Sequence, residues 1–316
     1  MKAKGKSRKA EVERGGERAK RSTSPSTRSA VIVGAGRLGT ALARALSACG
    51  YEVRALVSRE LSHARRAAKR AGVEAAALGL EQLERLPAAR LLFVTTPDDA
   101  IEETAARLAS LPALQSRVAL HASGALSSEV LAPLRARGLA VGSMHPLASV
   151  SDAASGAESL RRAFYCVEGD TAAARAARRL VRDLGGETFT IDPEDKALYH
   201  AAALMSAGHV VALFDVALGA LRRCGLPEAL ARKILLPLLR SVADNLERQA
   251  PARALTGSFA RADAATVRKH LRALARLGDA DALALYKLLG ARSLQLSEAA
   301  GADPDLVEVV RRALAE

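Results

Sequence analysis

Cysteine and lysine are scarce in this sequence, and no secretory-type apolar segment is present near its start. The three cysteines, Cys49, Cys166 and Cys224, are far apart, odd in number and outside any CxxC pattern. This arrangement argues against a disulfide framework or a zinc site and favours reduced thiols in a cytoplasmic protein. Beyond residue 29 the chain has 32 arginines but only five lysines, so a lysine in a functional context stands out.

The first 29 residues differ in composition from the rest of the chain. They hold ten Lys or Arg and three Glu, a balance of +7 within a total net charge of +13, and almost no large apolar side chains. Such a segment buries too little surface to offset its ordering entropy, so residues 1–29 are predicted to be a disordered basic tail. The alternative is a polyanion-binding arm or a targeting peptide. Because much of the positive charge lies in this tail, nucleic-acid binding is not predicted.

The body of the chain is predicted to be an α/β protein, a doubly wound Rossmann domain followed by an all-α domain. From residue 30, short apolar runs alternate with helical patterns, as in a parallel sheet covered by helices on both faces. Strands are predicted at 30–33, 52–57, 90–95, 117–121, 139–144, 164–167 and 187–191, and helices near 38–48, 61–70, 99–108, 128–137 and 172–184. After residue 192 nearly every segment has a helical pattern. The predicted domains are therefore 30–192 and 193–316.

One apolar segment in the helical half, residues 201–221, is about as long as a membrane span. His209 and Asp215 interrupt it, and Lys196 and His200 precede it by less than two turns, which argues against insertion in a bilayer. A helix buried between domains or subunits explains the pattern better. We therefore expect a homodimer formed through this helix, and no membrane association.

The first predicted strand leads into the sequence GAGRLG at residues 34–39 and then into a helix. Gly34 permits the tight turn, Gly36 lets the backbone approach a pyrophosphate, and Gly39 allows the helix to pack closely on the strand. The alternative is a glycine-rich turn with a packing role alone. The strand before it and the helix after it favour dinucleotide binding. The expected cofactor-binding residues here are Gly34, Gly36, Arg37, Leu38 and Gly39.

The end of the second strand discriminates between NAD and NADP, because an acidic side chain there binds the ribose of NAD and repels a 2′-phosphate. This chain has Ser58 and Arg59 at that position. Ser58 can hydrogen-bond a phosphate and Arg59 can pair with it, so NADP is predicted. Glu60 favours the alternative, NAD, if the strand ends one residue later. Further candidates for the phosphate are Arg65 and Arg66.

A third group of expected cofactor contacts follows the strand near residues 91–94. Thr95, Thr96 and Pro97 stand at its carboxyl end, where doubly wound sheets bind ligands. Asp98 or Asp99 is expected to cap the next helix.

Polar side chains also end the next two predicted strands. His121 and Ser123 follow one strand, and Ser143 and His145 follow the other. Each histidine alone is more often a structural residue. Because the carboxyl ends of parallel strands meet at one edge, we expect Ser123 and His145 to orient a substrate there.

A lysine and a histidine begin the helical half. Lys196 and His200 lie four residues apart and share one face of a helix, which Ala203 and Ala207 continue with small side chains. A desolvated lysine can release a proton near neutral pH, whereas an arginine cannot. The alternative is an exposed lysine on an ordinary first turn. His209 points to the opposite side of this helix, so no metal site is predicted.

These features together resemble the 6-phosphogluconate dehydrogenase-like superfamily, which includes pyrroline-5-carboxylate and ketopantoate reductases and prephenate and 3-hydroxyacid dehydrogenases. More closely, the chain resembles a bacterial family that pairs a Rossmann-like domain with a helical C-terminal domain of unknown function. The segments that carry the resemblance are VIVGAGRLGTAL, LHASGALSSEVLAPLRARGLAVGSMHPLAS, DKALYHAAAL and ALTGSFARAD. The K-x-x-x-N pattern of the hydroxyacid dehydrogenases implies a catalytic role for Lys196, with His200 in place of the asparagine. The His145-Pro146 pair is similar to that of prephenate dehydrogenases.

The sequence thus predicts an NADP(H)-dependent oxidoreductase that reduces a C=O or C=N group of a small, carboxylate-bearing metabolite, or catalyses the reverse oxidation. Lys196, assisted by His200, moves the proton, while Ser123 and His145 orient the substrate oxygen. One alternative is ketopantoate or pyrroline-5-carboxylate reduction specifically. The other is a non-catalytic module that senses a dinucleotide or binds a partner protein.

Overall fold

The computed structural model describes residues 28–316, which divide into two compact units between Ala203 and Leu204. Residues 1–27, most of the predicted basic tail, lie outside the described part. The last two residues of that predicted tail belong to the folded unit. Arg28 pairs with Asp183 (3.4 Å between Nη2 and Oδ2), and Ser29 begins the first strand.

The first unit is built on an eight-stranded sheet. Its spatial order is β3-β2-β1-β4-β5-β6-β7-β8, and every neighbouring pair is parallel except β6 with β7. The strands are β1 (Ser29–Val33), β2 (Glu52–Ser58), β3 (Ala76–Gly79), β4 (Leu91–Val94), β5 (Val118–His121), β6 (Ala140–Pro146), β7 (Phe164–Gly169) and β8 (Glu187–Phe189). This topology confirms the predicted doubly wound fold, and all seven predicted strands form.

Helices cover both faces of the sheet. They are α1 (Arg37–Ala48), α2 (Leu61–Ala71), α3 (Ile101–Ala109), α4 (Ala132–Ala136), α5 (Ala153–Leu160) and α6 (Thr171–Asp183). The sheet has a hydrophobic core on each face, and successive residues of β1 point into opposite cores. Ile32 packs in the core that contains α1 and α6, and Val31 packs in the core that contains α3. Buried apolar strands of this kind are typical of a parallel sheet with two covered faces.

Two elements were missing from the sequence-based assignment. β3 is short and rich in alanine, so it lacks the β-branched residues that mark a strand. α5 contains Gly156, which lowers helix propensity, but a Cβ at this position would lie 3.0 Å from Ala41 Cβ in α1. The glycine therefore permits close packing of α5 on α1. A detectable signal was Asp152, whose carboxylate accepts from Ala154 N and Ser155 N as an N-cap.

The rest of the chain is helical, as predicted. Its helices are α7 (Lys196–Ser206), α8 (Gly208–Arg223), α9 (Glu228–Arg248), α10 (Pro251–Ala254), α11 (Gly257–Ala260), α12 (Ala264–Leu277), α13 (Ala280–Ala299) and α14 (Pro304–Ala315). The second unit has its own small core, with Val267, Leu294 and Val310 at its centre. The unit boundary falls inside α7, later than the predicted boundary at 192, because the first turns of α7 pack in the sheet-containing unit.

Among the described residues, one helical stretch is long and apolar enough to cross a membrane by length and composition alone, Pro193–Arg223. Only 6% of its most apolar window is buried. Residue Ala207 interrupts the helical geometry within it, with φ −126° and ψ −76°. A single such stretch is weak evidence for insertion in a bilayer.

Candidate functional site

The glycine loop between β1 and α1 is shaped by contacts that only glycine allows. Gly34 has φ +113°, and a Cβ on it would lie 2.4 Å from the carbonyl carbon of Thr95. A Cβ on Gly39 would lie 2.1 Å from the Gly34 carbonyl oxygen. At Gly36, by contrast, a Cβ would meet no described atom within 4 Å. Two glycines therefore serve packing, whereas the third leaves open space beside the helix N-terminus, where a pyrophosphate fits.

A cavity of about 660 Å³ opens beside this loop, large enough for part of a dinucleotide. Its lining includes Gly34, Gly36, Ser58, Arg59, Thr95, Thr96 and Pro97, seven of the ten predicted cofactor-binding residues. Thr95 Oγ1 donates to the Gly34 carbonyl oxygen at 2.7 Å and so supports the loop. Thr96 Oγ1 is buried and has no hydrogen-bond partner among the described residues. An unsatisfied buried hydroxyl in a cavity wall fits a polar ligand.

A second cavity, of about 540 Å³, shares Ala35, Gly36 and Ser58 with the first. We call it the basic cavity, because its lining includes the cationic or titratable side chains Arg37, His63, Arg66 and Arg70. Among the described residues, one carboxylate lines it, that of Asp152, and this carboxylate already caps α5. The structure thus separates two predicted phosphate candidates: Arg66 lines this cavity, whereas Arg65 lines neither of the two.

The remaining predicted cofactor residues have different positions. Arg37 lines the basic cavity, while the Leu38 side chain packs against the hydrophobic core. A contact from Leu38 to a cofactor would therefore come from its backbone in the first turn of α1. Glu60, the residue that favoured NAD, is exposed and lines neither cavity, and its carboxylate accepts from Ser62 Oγ at 3.2 Å.

At the carboxyl ends of β5 and β6, the structure brings together the four predicted catalytic residues. Lys196 is 0% exposed, which excludes the alternative of a solvated lysine. Its Nζ donates to Ser143 Oγ at 2.6 Å and to the Ser123 carbonyl oxygen at 3.3 Å. Burial lowers the pKa of Lys196, and the nearby Glu168 carboxylate opposes this effect. The Lys196 amine is therefore enclosed, in contact with Ser143 Oγ and the Ser123 carbonyl oxygen.

Glu168 completes this shell from β7, and sequence reasoning did not identify it. Its Oε1 lies 3.9 Å from Lys196 Nζ, and its two carboxylate oxygens accept from the backbone N and the Oγ of Ser128, each at 2.8 Å. Glu168 pairs with Ser143 across the antiparallel β6–β7 ladder. An acidic residue in an apolar strand was the available signal, since carboxylates are rarely buried without a partner.

Two imidazoles lie close to Gly124, and a phenol contacts one of them. His145 Nδ1 is 2.7 Å from the Tyr199 hydroxyl, and the ring centroids of His145 and His200 are 5.4 Å apart. A Cβ on Gly124 would lie 2.3 Å from His200 Nδ1 and 2.9 Å from His145 Nε2. Burial, then the neighbouring His200 and Lys196, lower the pKa of His145 to about 4. His145 is therefore neutral at pH 7.

Two other side chains at this edge, those of His121 and Ser123, make hydrogen bonds within the protein through all their polar atoms. His121 Nδ1 accepts from Ser123 N at 3.1 Å, its Nε2 lies 3.1 Å from the Ser127 carbonyl oxygen, and burial lowers its pKa to about 3. Ser123 Oγ donates to Asp98 Oδ2 at 2.7 Å and accepts from the backbone N atoms of residues 125 and 126. The predicted role of Ser123 in binding substrate remains a prediction.

The expectation that Asp98 or Asp99 caps the following helix is wrong. Residue Ala100 stands at the N-cap of α3, and no side chain hydrogen-bonds there. Asp98 instead begins a short 3₁₀ turn and accepts the Ser123 hydroxyl. This contact ties the carboxyl ends of β4 and β5 together. No group of three or more potential metal ligands occurs in residues 28–316.

Comparison with known protein families divides the chain in two. Residues 16–146 match the Rossmann-like domain, and residues 163–293 match a domain of unknown function, DUF2520. The chain thus combines a match to the Rossmann-like domain with a match to DUF2520. The DUF2520 match begins before β7, so Glu168, Lys196, Tyr199 and His200 belong to it, whereas Ser123, Ser143 and His145 belong to the Rossmann-like match.

Solved structures share this fold over nearly their whole length. BF3122 from Bacteroides fragilis, described as a candidate NADP oxidoreductase, is 23% identical with a TM-score of 0.69 and covers 85% of this chain and 98% of its own. Protein TM1727 from Thermotoga maritima is 25% identical, with a TM-score of 0.64 and the same two coverages, 85% and 98%. A reductive aminase from Aspergillus terreus, solved with NADPH and ethyl levulinate, is 18% identical, with a TM-score of 0.61 over 91% of this chain and 99% of its own. No curated protein matches the sequence significantly.

Proposed function

We propose that this Rossmann-like DUF2520 protein is an NADP(H)-dependent oxidoreductase that reduces a C=O or C=N group of a small, carboxylate-bearing metabolite, or catalyses the reverse oxidation. The observation that carries the proposal is the placement of Lys196, His145 and His200 around Gly124. This cluster lies at the strand edge onto which the glycine loop also opens. In doubly wound sheets a ligand bound at this edge reaches residues from several strands.

The residues of the loop fit a dinucleotide. Gly36 leaves room for a pyrophosphate, and Thr96 Oγ1 offers an unsatisfied hydroxyl. The basic cavity supports NADP over NAD, because Ser58 and Arg66 line it and, in the part of the chain that the structure describes, the capping Asp152 is its one acidic side chain. When bound, the cofactor supplies or accepts the hydride.

We assign the two remaining tasks, substrate binding and proton transfer, to the side chains around Gly124. His145 and His200 are half-buried, so their rings can contact a substrate, whereas Lys196 is fully enclosed. Lys196 holds the mobile proton at Nζ, in contact with Ser143 Oγ, and its lowered pKa favours proton release. His200 assists at the same peptide, where its Nδ1 is buried without a hydrogen-bond partner in the described structure.

The reaction is tested with NADPH and a panel of small 2-oxo acids, carboxylate-bearing aldehydes and cyclic imines. We expect absorbance at the NADPH band to fall only when the right substrate is present. Selective turnover of ketopantoate or pyrroline-5-carboxylate would narrow the proposal to those reactions. Binding of NADPH that raises the melting temperature without turnover on any compound would favour the sensing module instead.

Gly36→Ala provides a matched test of cofactor binding. Its Cβ would meet no atom of residues 28–316 within 4 Å, and its backbone, at φ −76°, suits alanine. We expect the variant to keep the melting temperature of the wild type without cofactor but to lose more than tenfold in NADPH affinity, because the methyl group enters the pyrophosphate space. Gly39→Ala is the contrasting control: it should lower the melting temperature itself, since its Cβ would lie 2.1 Å from a carbonyl oxygen. Unchanged NADPH affinity in Gly36→Ala would contradict the placement of the cofactor.

We further propose that the protein is a homodimer that works in a reducing compartment. α8 contains no fully buried residue, and Val211 and Leu213 are exposed on it, 71% and 42% respectively. An apolar helix this exposed is typical of an interface, and in this proposal α8 of a second copy of the chain covers it. The three cysteines are all free, which suits a reducing environment. Its partner molecules are then a small substrate and a second subunit, with no nucleic acid or membrane.

A further inference from the structure

We propose that Tyr199 is a positioning residue that fixes the tautomer of His145, so that His145 presents an Nε2–H hydrogen-bond donor to the substrate beside Gly124. The consequence for substrate binding rests on the proposed function, whereas the tautomer itself does not. Tyr199 was not among the residues singled out from the sequence.

The contact between the two side chains carries the inference. The Tyr199 hydroxyl lies 2.7 Å from His145 Nδ1, with the rings edge to face at 85°. The Phe189 ring packs against Tyr199 with centroids 5.7 Å apart, so the phenol is held in place. In the described structure, His145 is the one hydrogen-bond partner that the Tyr199 hydroxyl has.

The direction of this hydrogen bond follows from the chemistry of the two groups. Burial raises the pKa of the Tyr199 phenol, so it keeps its proton and needs an acceptor. The groups around His145 with titratable protons are Tyr199, His200, Lys196 and His121, and burial with the nearby His200 and Lys196 holds its ring neutral. A neutral imidazole has one N–H and one lone pair. If Tyr199 donates to Nδ1, the proton of the imidazole must stand on Nε2.

The Nε2 edge faces the place where a substrate is expected. An ideal Cβ on Gly124 would lie 2.9 Å from His145 Nε2, so a side chain at position 124 would collide with this edge of the ring. A donor at this position selects a substrate atom with a lone pair, such as a carbonyl or carboxylate oxygen or an unprotonated imine nitrogen. His145 then polarises that group, and removal or delivery of the proton is left to Lys196 and His200.

The chain contains a matched control for this contact. In the second unit, His270 Nδ1 lies 2.7 Å from the Tyr286 hydroxyl, with the rings at 89°. Tyr286→Phe therefore removes the same hydroxyl from the same kind of pair, but in the second unit. His121 is an internal reference, because Ser123 N donates to its Nδ1 and so places its proton on Nε2 regardless of Tyr199.

The test is ¹⁵N NMR of the histidine rings in the full-length protein at pH 7, without substrate, with His145 assigned by its loss in His145→Gln. We expect the wild-type His145 to show the same Nε2-protonated pattern as His121. Tyr199→Phe should convert His145 to a mixture of tautomers, while Tyr286→Phe leaves it unchanged. An Nδ1-protonated His145 in the wild type, or a tautomer that is unchanged in Tyr199→Phe, would overturn the inference.

Kinetics supply a second readout once a substrate is known. Tyr199→Phe should lower kcat about tenfold, the value of one neutral hydrogen bond, and leave NADPH affinity unchanged. Tyr286→Phe should leave both unchanged. A wild-type kcat in Tyr199→Phe would count against the role of the tautomer in turnover. The NMR result stands apart from the proposed reaction, so failure to find reductase activity and failure of the tautomer assignment are distinguishable.

Discussion

Replacing Lys196 with methionine separates a proton-transfer role from a structural ion pair. Methionine has a similar length and no charge, so it fills the space while removing the donors to Ser143 Oγ and the Ser123 carbonyl oxygen. The substitution also leaves the Glu168 carboxylate, which is 5% exposed, without its cationic partner. Both consequences must be measured, because each alone lowers activity.

The expected loss of stability and the expected loss of turnover are each large enough to measure. Removing one partner of a buried ion pair costs about 3 to 5 kcal/mol of stability, a large share of the roughly 5 to 15 kcal/mol of a typical domain. Loss of a positioned proton donor lowers turnover by about 10² to 10⁴. The two donors from Ser128 still hold Glu168, so we expect the stability loss near the lower end of this range.

A compensating variant removes the stability effect and leaves the catalytic one. In Lys196→Met with Glu168→Gln, both charges are gone and no unpaired ion is left at position 168, so most of the stability should return. Turnover should stay low in the double variant, with NADPH affinity within a few fold of wild type. Lys196→Arg should rescue little, because arginine does not release a proton near neutral pH. Lys269→Met, at an exposed position on α12, controls for loss of a lysine.

The assay combines denaturant unfolding, NADPH titration and steady-state turnover on the same preparations. If the double variant regains both stability and wild-type turnover, the Lys196–Glu168 pair is purely structural and the proton must come from His200 or His145. Recovered stability with turnover still depressed by at least a hundredfold would support the proton-transfer role.

Four further outcomes are expected. Arg59→Ala and Arg66→Ala should each weaken NADPH about ten- to a hundredfold in fluorescence titrations and hardly change NADH, with Arg65→Ala near wild type; equal losses for both cofactors would contradict the NADP assignment. Because the pKa of His145 lies at about 4 in the folded protein against 6.5 for a free histidine, the folded state should lose stability as the pH falls from 6.5 to 4. His145→Gln should remove up to about 3 kcal/mol of that loss in pH-dependent unfolding, and an unchanged pH slope would refute the assignment. Deleting residues 1–27, which stops short of Arg28, should leave the melting temperature and NADPH affinity unaltered. Light scattering should give twice the chain mass of 33.1 kDa, and a monomer at micromolar concentration would refute the dimer.

Local patterns in the sequence were sufficient for most of the fold. Alternating apolar runs and helical periods depend on neighbouring residues, and they predicted seven of the eight strands. The GAGRLG motif carries its own conformational requirements, since Gly34 has a positive φ and Gly39 tolerates no side chain. Both properties are encoded within a few residues of the chain.

Spacing along the chain also located part of the candidate site. The carboxyl ends of parallel strands share an edge, so Ser123 and His145 were expected to lie together, and the four-residue spacing of Lys196 and His200 places both beside the Ser123-Gly124 peptide. These predictions used only the geometry of strands and helices.

Tertiary structure alone decided which partners these side chains have. The antiparallel pairing of β7 sets Glu168 opposite Ser143, and the packing of α7 brings Tyr199 to His145, 54 residues away in the chain. The tertiary structure also brings the Ser123 hydroxyl into a hydrogen bond with the Asp98 carboxylate. No local pattern encodes such contacts, because each depends on the register of one strand or the rotation of one helix about its axis, and both are set by the packing of the whole core.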